Sequence, residues 1–215
     1  IGGGVCFAGG VSQQYLHENV IAAIESTDSK YLLAGPAYPS YLEDLKKLPQ
    51  QLKVVLDKTD YYQQLTDKIY QQEDVFFIGR KVDYAISLEG SLKLKETSYI
   101  NTSSYPLGEF IHGHFALLNK SKVFLTFITE DCSKYELDLL KKITTTYKTK
   151  TIIISDVYED HDSDILVKIP KSSTKIATIL NIIVTIQMLA FNIALILKRD
   201  VDKPKGLQKV VDKEK

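Results

Sequence analysis

The chain has only two cysteines, Cys6 and Cys132, in 215 residues. Two are too few for a disulfide scaffold, so a reducing compartment, the cytoplasm, is the default expectation. Charge of either sign is not in surplus: 27 basic residues stand against 27 acidic ones. That balance gives no electrostatic reason to expect nucleic acid, because phosphate binding needs a basic surplus or patch. The 13 tyrosines are scattered rather than set out as a platform for stacked bases. No signal-peptide or transit-peptide pattern, internal repeat or low-complexity tract is visible. The first residue is Ile1 rather than Met, which reads as a fragment or a processed product.

Two nucleotide signatures are also missing. Gly79-Arg80-Lys81-Val82-Asp83 follows a strand-like run but lacks the second and third glycines of a dinucleotide loop. Those glycines let the backbone approach a pyrophosphate, so NAD is excluded, and there is no Walker lysine loop. His112 and His114 alternate as two metal ligands on one strand face would, but no third or fourth ligand has convincing spacing. The expectation is therefore no metal and no cofactor.

One long apolar run is present. Residues 176–197 carry no charge and are flanked by Lys171, Lys175, Lys198 and Arg199. Their length suits a bilayer crossing. However, Asn181, Thr185 and Asn192 share one face, Gln187 interrupts another, and no second span accompanies them. The expectation is a buried central helix of a non-membrane domain.

Ahead of that helix the pattern alternates. Short apolar runs at 75–78, 123–128, 151–154 and 165–169 read as strands, and about 82–99 and 133–146 read as helices. Pro170 stops the last strand, and Ser172-Ser173 is placed to cap the apolar helix. Continuous apolar strands alternating with helices mean an α/β fold: a doubly wound parallel sheet with helices on both faces and right-handed crossovers. Residues 1–55 differ. They open on Gly2-Gly3-Gly4, read as helical at 11–24, turn at 34–40, and become helical again at 41–56, where Pro49 should kink or restart the helix.

The chemistry is concentrated at 88–100 and 108–113. At about 100° per residue, Glu89, Lys93, Glu96 and Ile100 share one helical stripe, with Leu88, Leu92 and Tyr99 on the next. Two carboxylates and an ammonium thus line up beside an apolar surface, with His112 following in a Gly-flanked loop. That equipment suits proton transfer next to a carbonyl. Taken alone, the same pattern also describes a solvated Glu–Lys pair worth a few tenths of a kcal/mol. Thr102-Ser103-Ser104 and Ser172-Ser173-Thr174 read either as helix caps or as phosphate contacts.

The run from Phe77-Ile78-Gly79-Arg80 through residues 88–100, Gly-Glu-Phe-Ile-His-Gly at 108–113 and Ala116-Leu117-Leu118 resembles the second sugar isomerase (SIS) domain of the glucosamine-6-phosphate synthase family. The tail from Asp200 to Lys209 is similar to that family's C-terminal segment, so the resemblance covers roughly residues 74–211. It implies a flavodoxin-like SIS domain over 56–199. Residues 1–55 would be the end of a preceding SIS domain with linker helices, and 200–215 a tail folding over the site.

The implied reaction converts fructose 6-phosphate to glucosamine 6-phosphate, using ammonia from a glutaminase domain outside this sequence. Glu96 stands at the family's base position. Lys93 matches a lysine credited with proton transfer at the amine, and Glu89 matches a glutamate that orients it. His112 corresponds to the ring-opening histidine, which serves a neighbouring subunit's site and so implies a homodimer. Lys209 matches the tail lysine that forms a Schiff base with the open-chain ketose. Gly79, Arg80, Glu89 and Val5 are the substrate-binding residues the resemblance implies, Val5 through Gly4-Val5-Cys6-Phe7-Ala8 in place of Gly-Val-Ala-Ser-Thr.

Three departures bear on specificity. His112-Gly113-His114 replaces His-Gly-Pro, Gly79-Arg80-Lys81 replaces Gly-Arg-Gly, and the tail runs on past its lysine. Two alternatives therefore stay open: a glutaminase-free phosphosugar isomerase or amino-sugar deglycase, and a non-catalytic sugar-phosphate sensor.

Overall fold

The computed structural model describes residues 38–130, 132–159 and 163–206. The expectations for 1–37, Val5 among them, and for 207–215, including Lys209, lie outside the described residues.

Five parallel strands form one sheet: β1 (Asp74–Gly79), β2 (Asn101–Pro106), β3 (Lys122–Ile128), β4 (Lys150–Ser155) and β5 (Ile165–Lys168), in the order β2-β1-β3-β4-β5. Among the described residues six helices accompany them: α1 (Tyr38–Leu56), α2 (Thr59–Ile69), α3 (Val82–Ser98), the short α4 (Leu107–Phe110), α5 (Lys134–Thr145) and α6 (Lys175–Ile196). A 3₁₀ turn spans His114–Leu117. This is the expected doubly wound α/β arrangement.

Side chains alternate across a strand, so each strand feeds two cores. Val75, Phe77, Val123, Leu125, Phe127, Ile152 and Ile154 pack under α2, α3 and α6. Phe76, Ile78, Phe124, Ile128 and Ile153 pack against Phe110 of α4 and against Leu139, Leu140 and Ile143 of α5. Burial on both faces explains why β1, β3 and β4 read as unbroken apolar runs.

The 22-residue α6 takes the central place expected of it. Ala177, Ile182, Ile186, Leu189, Ala190 and Ile193 are buried. By length and composition alone this helix could cross a membrane, but its buried face lies in the domain core.

Residues 38–55, assigned from the sequence to a preceding domain and its linker, form most of α1. Leu48, Leu52 and Val55 of this helix are buried, and Val55 joins the α6-side core. The helix passes through Pro49 without the expected restart. The Ser172-Ser173 cap of α6 is also corrected. Its N-cap is Thr174, which makes no side-chain cap bond of its own. Instead the buried Asp44 of α1 accepts from the Ser173 hydroxyl, from Thr174 N–H at 2.5 Å and from Thr174 Oγ1 at 2.6 Å. A carboxylate there also opposes the positive end of the helix dipole. Burial alone would push the Asp44 pKa up, but the bonds from Ser173 and Thr174 outweigh it and hold the carboxyl below its ordinary range.

At the start of α3, Lys81 has φ 50° and ψ −123°, a conformation that costs an L-residue about 1–3 kcal/mol and glycine almost nothing. Glycine would give back roughly 0.4–1 kcal/mol through the unfolded chain. It would also remove an exposed ion pair to Glu130, 3.0 Å long and worth well under ~1 kcal/mol. Lys81→Gly should therefore stabilise by a net ~0.5–1 kcal/mol, read as a higher urea midpoint at unchanged slope.

Candidate functional site

The stripe on α3 forms as its spacing implies, with one exception. Lys93 Nζ donates to Glu96 Oε2 at 2.9 Å and lies 3.7 Å from Glu89 Oε1. The side chains of Lys93 and Glu96 are 28% and 22% exposed, so this is a half-buried pair rather than a freely solvated one. Ile100 does not share the stripe. It lies beyond the left-handed Tyr99 that ends α3, and its side chain is buried.

The helix is held from behind. Thr97 Oγ1 donates to Lys93 O at 2.9 Å and to Ala190 O of α6 at 3.5 Å. At Gly90 a Cβ would fall 2.8 Å from the Phe77 ring and 3.3 Å from Ile186, so this glycine is what lets α3 seat on β1 and α6. In front, Leu88, Leu92 and Tyr99 are 49%, 45% and 39% exposed. A carboxylate and an ammonium in fixed register thus border an uncovered apolar face. That arrangement can hold and move a proton beside a bound carbon skeleton.

The carboxyl edge of the sheet is where doubly wound folds usually bind ligands, at the β1/β3 switch point. Here the domain's own charges span it. Arg80 Nη1 lies 2.9 Å from Glu136 Oε1, and Nη2 donates to Glu130 O at 3.3 Å. Glu136 also closes the capping box of α5 with Ser133. Lys175 and Lys81 both donate to the Glu130 carboxylate; hydrogen bonding from Lys175, then Lys81, holds its pKa down to about 2. Beside them the buried Asp83 accepts from Thr129 Oγ1 at 2.6 Å and from Thr129 N–H at 3.2 Å. Desolvation pushes its carboxyl up, more than these bonds lower it. Gly79 is needed for packing: a Cβ there would lie 2.2 Å from Asp83 O, blocking the first turn of α3. The geometry thus gives both Gly79 and Arg80 pairing and packing duties at this edge.

His112 lies beyond the same edge, in the turn between α4 and the 3₁₀ helix. It is exposed, and its N–H donates to Glu109 O at 3.0 Å. Gly113 follows at φ 118°, a value that requires glycine. The unexpected His114 is not a second free imidazole. Its ring sits 4.0 Å from the Tyr105 ring and 5.6 Å from Phe110, inside an aromatic cluster. Glu96 and His112 are not brought together within one chain. The parallel register puts Asn101, just past the end of α3, beside Asp74 at the amino edge, and Pro106 beside Gly79 at the carboxyl edge. Six residues of β2 therefore separate the two groups, about 20 Å of strand.

Two residues have duties that the sequence did not assign them: Asp44, which it did not mark, and Tyr99, which it placed only on the apolar stripe. Asp44 ties α1 to the head of α6, and Tyr99 touches the segment after α6. The Arg199 guanidinium lies 5.0 Å from the Tyr99 ring centroid, and the Tyr99 hydroxyl accepts Lys205 N–H at 2.6 Å. A tyrosine directly after a helical stripe was the available signal for the second. Nothing local marks Asp44.

A domain-family profile described as SIS domain matches residues 68–196. Among curated proteins, the chain is 31% identical over 203 residues to a glutamine–fructose-6-phosphate aminotransferase (isomerizing) of Caldanaerobacter subterraneus subsp. tengcongensis. That match covers 90% of this chain and 32% of the relative. The chain is also 34% identical over 175 residues to the protein of the same name in Thermosynechococcus vestitus, across 79% of this chain and 28% of that one. It therefore spans about a third of the length of the curated relatives it matches.

Among solved structures, the C-terminal domain of glucosamine-fructose-6-phosphate aminotransferase from Francisella tularensis aligns with TM-score 0.65 at 26% identity, over 76% of this chain and 46% of that one. A glucosamine-6-phosphate deaminase from Thermotoga maritima aligns with TM-score 0.60 at 21% identity, over 95% of this chain and 58% of that one, a likeness of fold alone.

Proposed function

Because the chain belongs to the SIS domain family, we propose that it forms part of a sugar-phosphate isomerase site whose proton-transfer base is Glu96. The observation that carries this reading is the half-buried Lys93–Glu96 pair on the uncovered face of α3. Glu96 takes a proton from one carbon of an open-chain ketose phosphate and returns it to the neighbouring carbon through an enol or enolamine. Lys93, oriented by Glu89, serves the nitrogen or oxygen on the adjacent carbon. Among the proposed substrate contacts, Gly79 and Arg80 stand at the carboxyl edge with His112, a β2 length from Glu96, and so would serve the sugar phosphate from the partner subunit; Val5 is a further contact. Lys209 holds the ketose as a Schiff base, which requires a neutral amine and so a tail folded over the site.

The finer reaction is that of the curated relatives' name: fructose 6-phosphate becomes glucosamine 6-phosphate, with ammonia from a glutaminase domain in the intact protein. The cytoplasm, where sugar phosphates are made and kept, is the setting this implies.

The β2-length gap between Glu96 and His112 supports a shared site in a homodimer, with His112 of the partner subunit opening the sugar ring. Co-expression of Glu96→Gln subunits with His112→Ala subunits tests this. Each variant alone should be nearly inactive. Random mixing makes half the dimers heterodimeric, each with one of two sites intact, so about a quarter of wild-type activity should return. No recovery above either variant would mean that both residues serve one subunit's site. Turnover of fructose 6-phosphate that never requires glutamine or ammonia would replace the aminating reaction by plain isomerisation.

A further inference from the structure

One side of α3, with Ile86, Gly90 and Leu94, is buried against β1 and α6. On the other side Ala85, Leu88, Leu92, Lys95 and Tyr99 are exposed, the last at the helix cap. Their spacing is three, four, three and four residues, the repeat of a seam that packs against a second helix. A helix that only covers a sheet needs polar residues on its outer face. Here that face carries two leucines and a tyrosine, 49%, 45% and 39% exposed. Lys95 fits the same row, because its methylene stem can lie along apolar surface while its ammonium reaches the rim.

We infer that this row is the contact between two copies of the chain, with α3 and the partner's α3 antiparallel about a two-fold axis at Leu92. The inference rests on the shared-site reading above and says which surface builds it. Complementarity favours a second copy as the occupant. When Leu92 faces its own copy, positions equally far to either side of it face each other. Lys95 then meets Glu89 of the partner subunit, and the large Tyr99 meets the small Ala85 of the partner subunit. Direction favours the antiparallel pair. α3 starts at Val82, just past the carboxyl edge, and ends at Ser98, just before Asn101 at the amino edge. Its 17 residues rise about 25 Å, close to the ~20 Å of strand that separates Glu96 from His112. An antiparallel partner therefore sets its carboxyl edge, with the partner's His112, beside the Glu96 end of this helix. A parallel pair would align the two Glu96 ends and leave both histidines a strand length away.

Two measurements on the intact protein, neither needing substrate, test the seam. Packed helix axes lie about 8–10 Å apart, so Leu92→Cys should be joined to its own copy by a short bis-maleimide. Val54→Cys, on the exposed face of α1, should give no more covalent dimer than the parent protein. Lys95→Glu sets like charges against Glu89 at both symmetric contacts and should weaken the dimer about tenfold or more, read by sedimentation. Adding Glu89→Lys to it should restore most of that loss, because the pair is reversed rather than removed. A dimer that does not cross-link at residue 92, or that Lys95→Glu leaves unchanged, would overturn the seam. So would an intact protein that is monomeric because another part of its own chain covers this face. Weakening that the second substitution does not repair would overturn the antiparallel register. Failure of the functional reading looks different: the cross-link and the charge reversal succeed, yet mixed Glu96→Gln and His112→Ala subunits regain no activity.

Discussion

Glu96→Gln in the intact protein should lower turnover of its sugar phosphate by about 10²–10⁴-fold, the range expected for loss of a positioned general base. The substitution keeps the shape of the side chain and an oxygen for Lys93, so the Michaelis constant should move little. The fold should move little as well. The Lys93–Glu96 bond joins two partly exposed groups on one helix, and its loss costs about 1 kcal/mol or less. Steady-state kinetics beside a thermal melt separate the two effects. A large drop in melting temperature with a modest drop in turnover would assign Glu96 to stability. Lys93→Met should lower turnover in the same direction by less, because the carboxylate survives but loses its orienting partner.

The largest effect on stability is expected at Asp44→Ala, far from that face. Removing the carboxylate strips partners from the Ser173 and Thr174 hydroxyls and from a backbone N–H at the head of α6. Buried donors left without acceptors cost about 1–3 kcal/mol, and a lost cap about 1 kcal/mol more. The total is about 3 kcal/mol, or on the order of 10 °C in melting temperature for a domain of this size. The effect has a pH signature. The folded-state pKa of Asp44 lies below its unfolded value, so its stabilisation is complete above the ordinary aspartate range and is lost as pH falls through the folded value. Urea titrations of wild type and variant should therefore differ most near neutrality and converge in strong acid. A gap that stays constant into acid would mean that the carboxylate's charge is not what holds the helix head.

What could be read from residues alone follows from which signals are local. β1, β3 and β4 announce themselves because both faces are buried and nearly every position is apolar. The Glu89–Lys93–Glu96 stripe follows from helical spacing. β2 does not announce itself, since Asn-Thr-Ser-Ser-Tyr-Pro is polar and reads as a cap or a phosphate contact. It is an edge strand whose side chains are satisfied by carbonyl and hydroxyl groups of α3. Thr102 Oγ1 donates to Ser91 O at 2.7 Å, and Ser87 and Ser104 share a 2.5 Å bond. The partners lie 11 and 17 positions back, beyond any local pattern. For the same reason the acceptor of Ser173 and Thr174 is found 129 and 130 positions earlier, in Asp44. His114 read as an added imidazole near the chemistry, but its ring packs against Tyr105 and stacks on Phe110 in an aromatic cluster.

The central claim, that Glu96 moves a proton between neighbouring carbons of a sugar phosphate, is tested most directly by solvent deuterium exchange. The intact protein and its Glu96→Gln variant are incubated in deuterated water with fructose 6-phosphate or glucose 6-phosphate, and C1 and C2 are followed by NMR. The account predicts deuterium at one of these carbons with the wild type and none above background with the variant. Exchange that persists undiminished in the variant, or is absent from the wild type with both sugars, would contradict it.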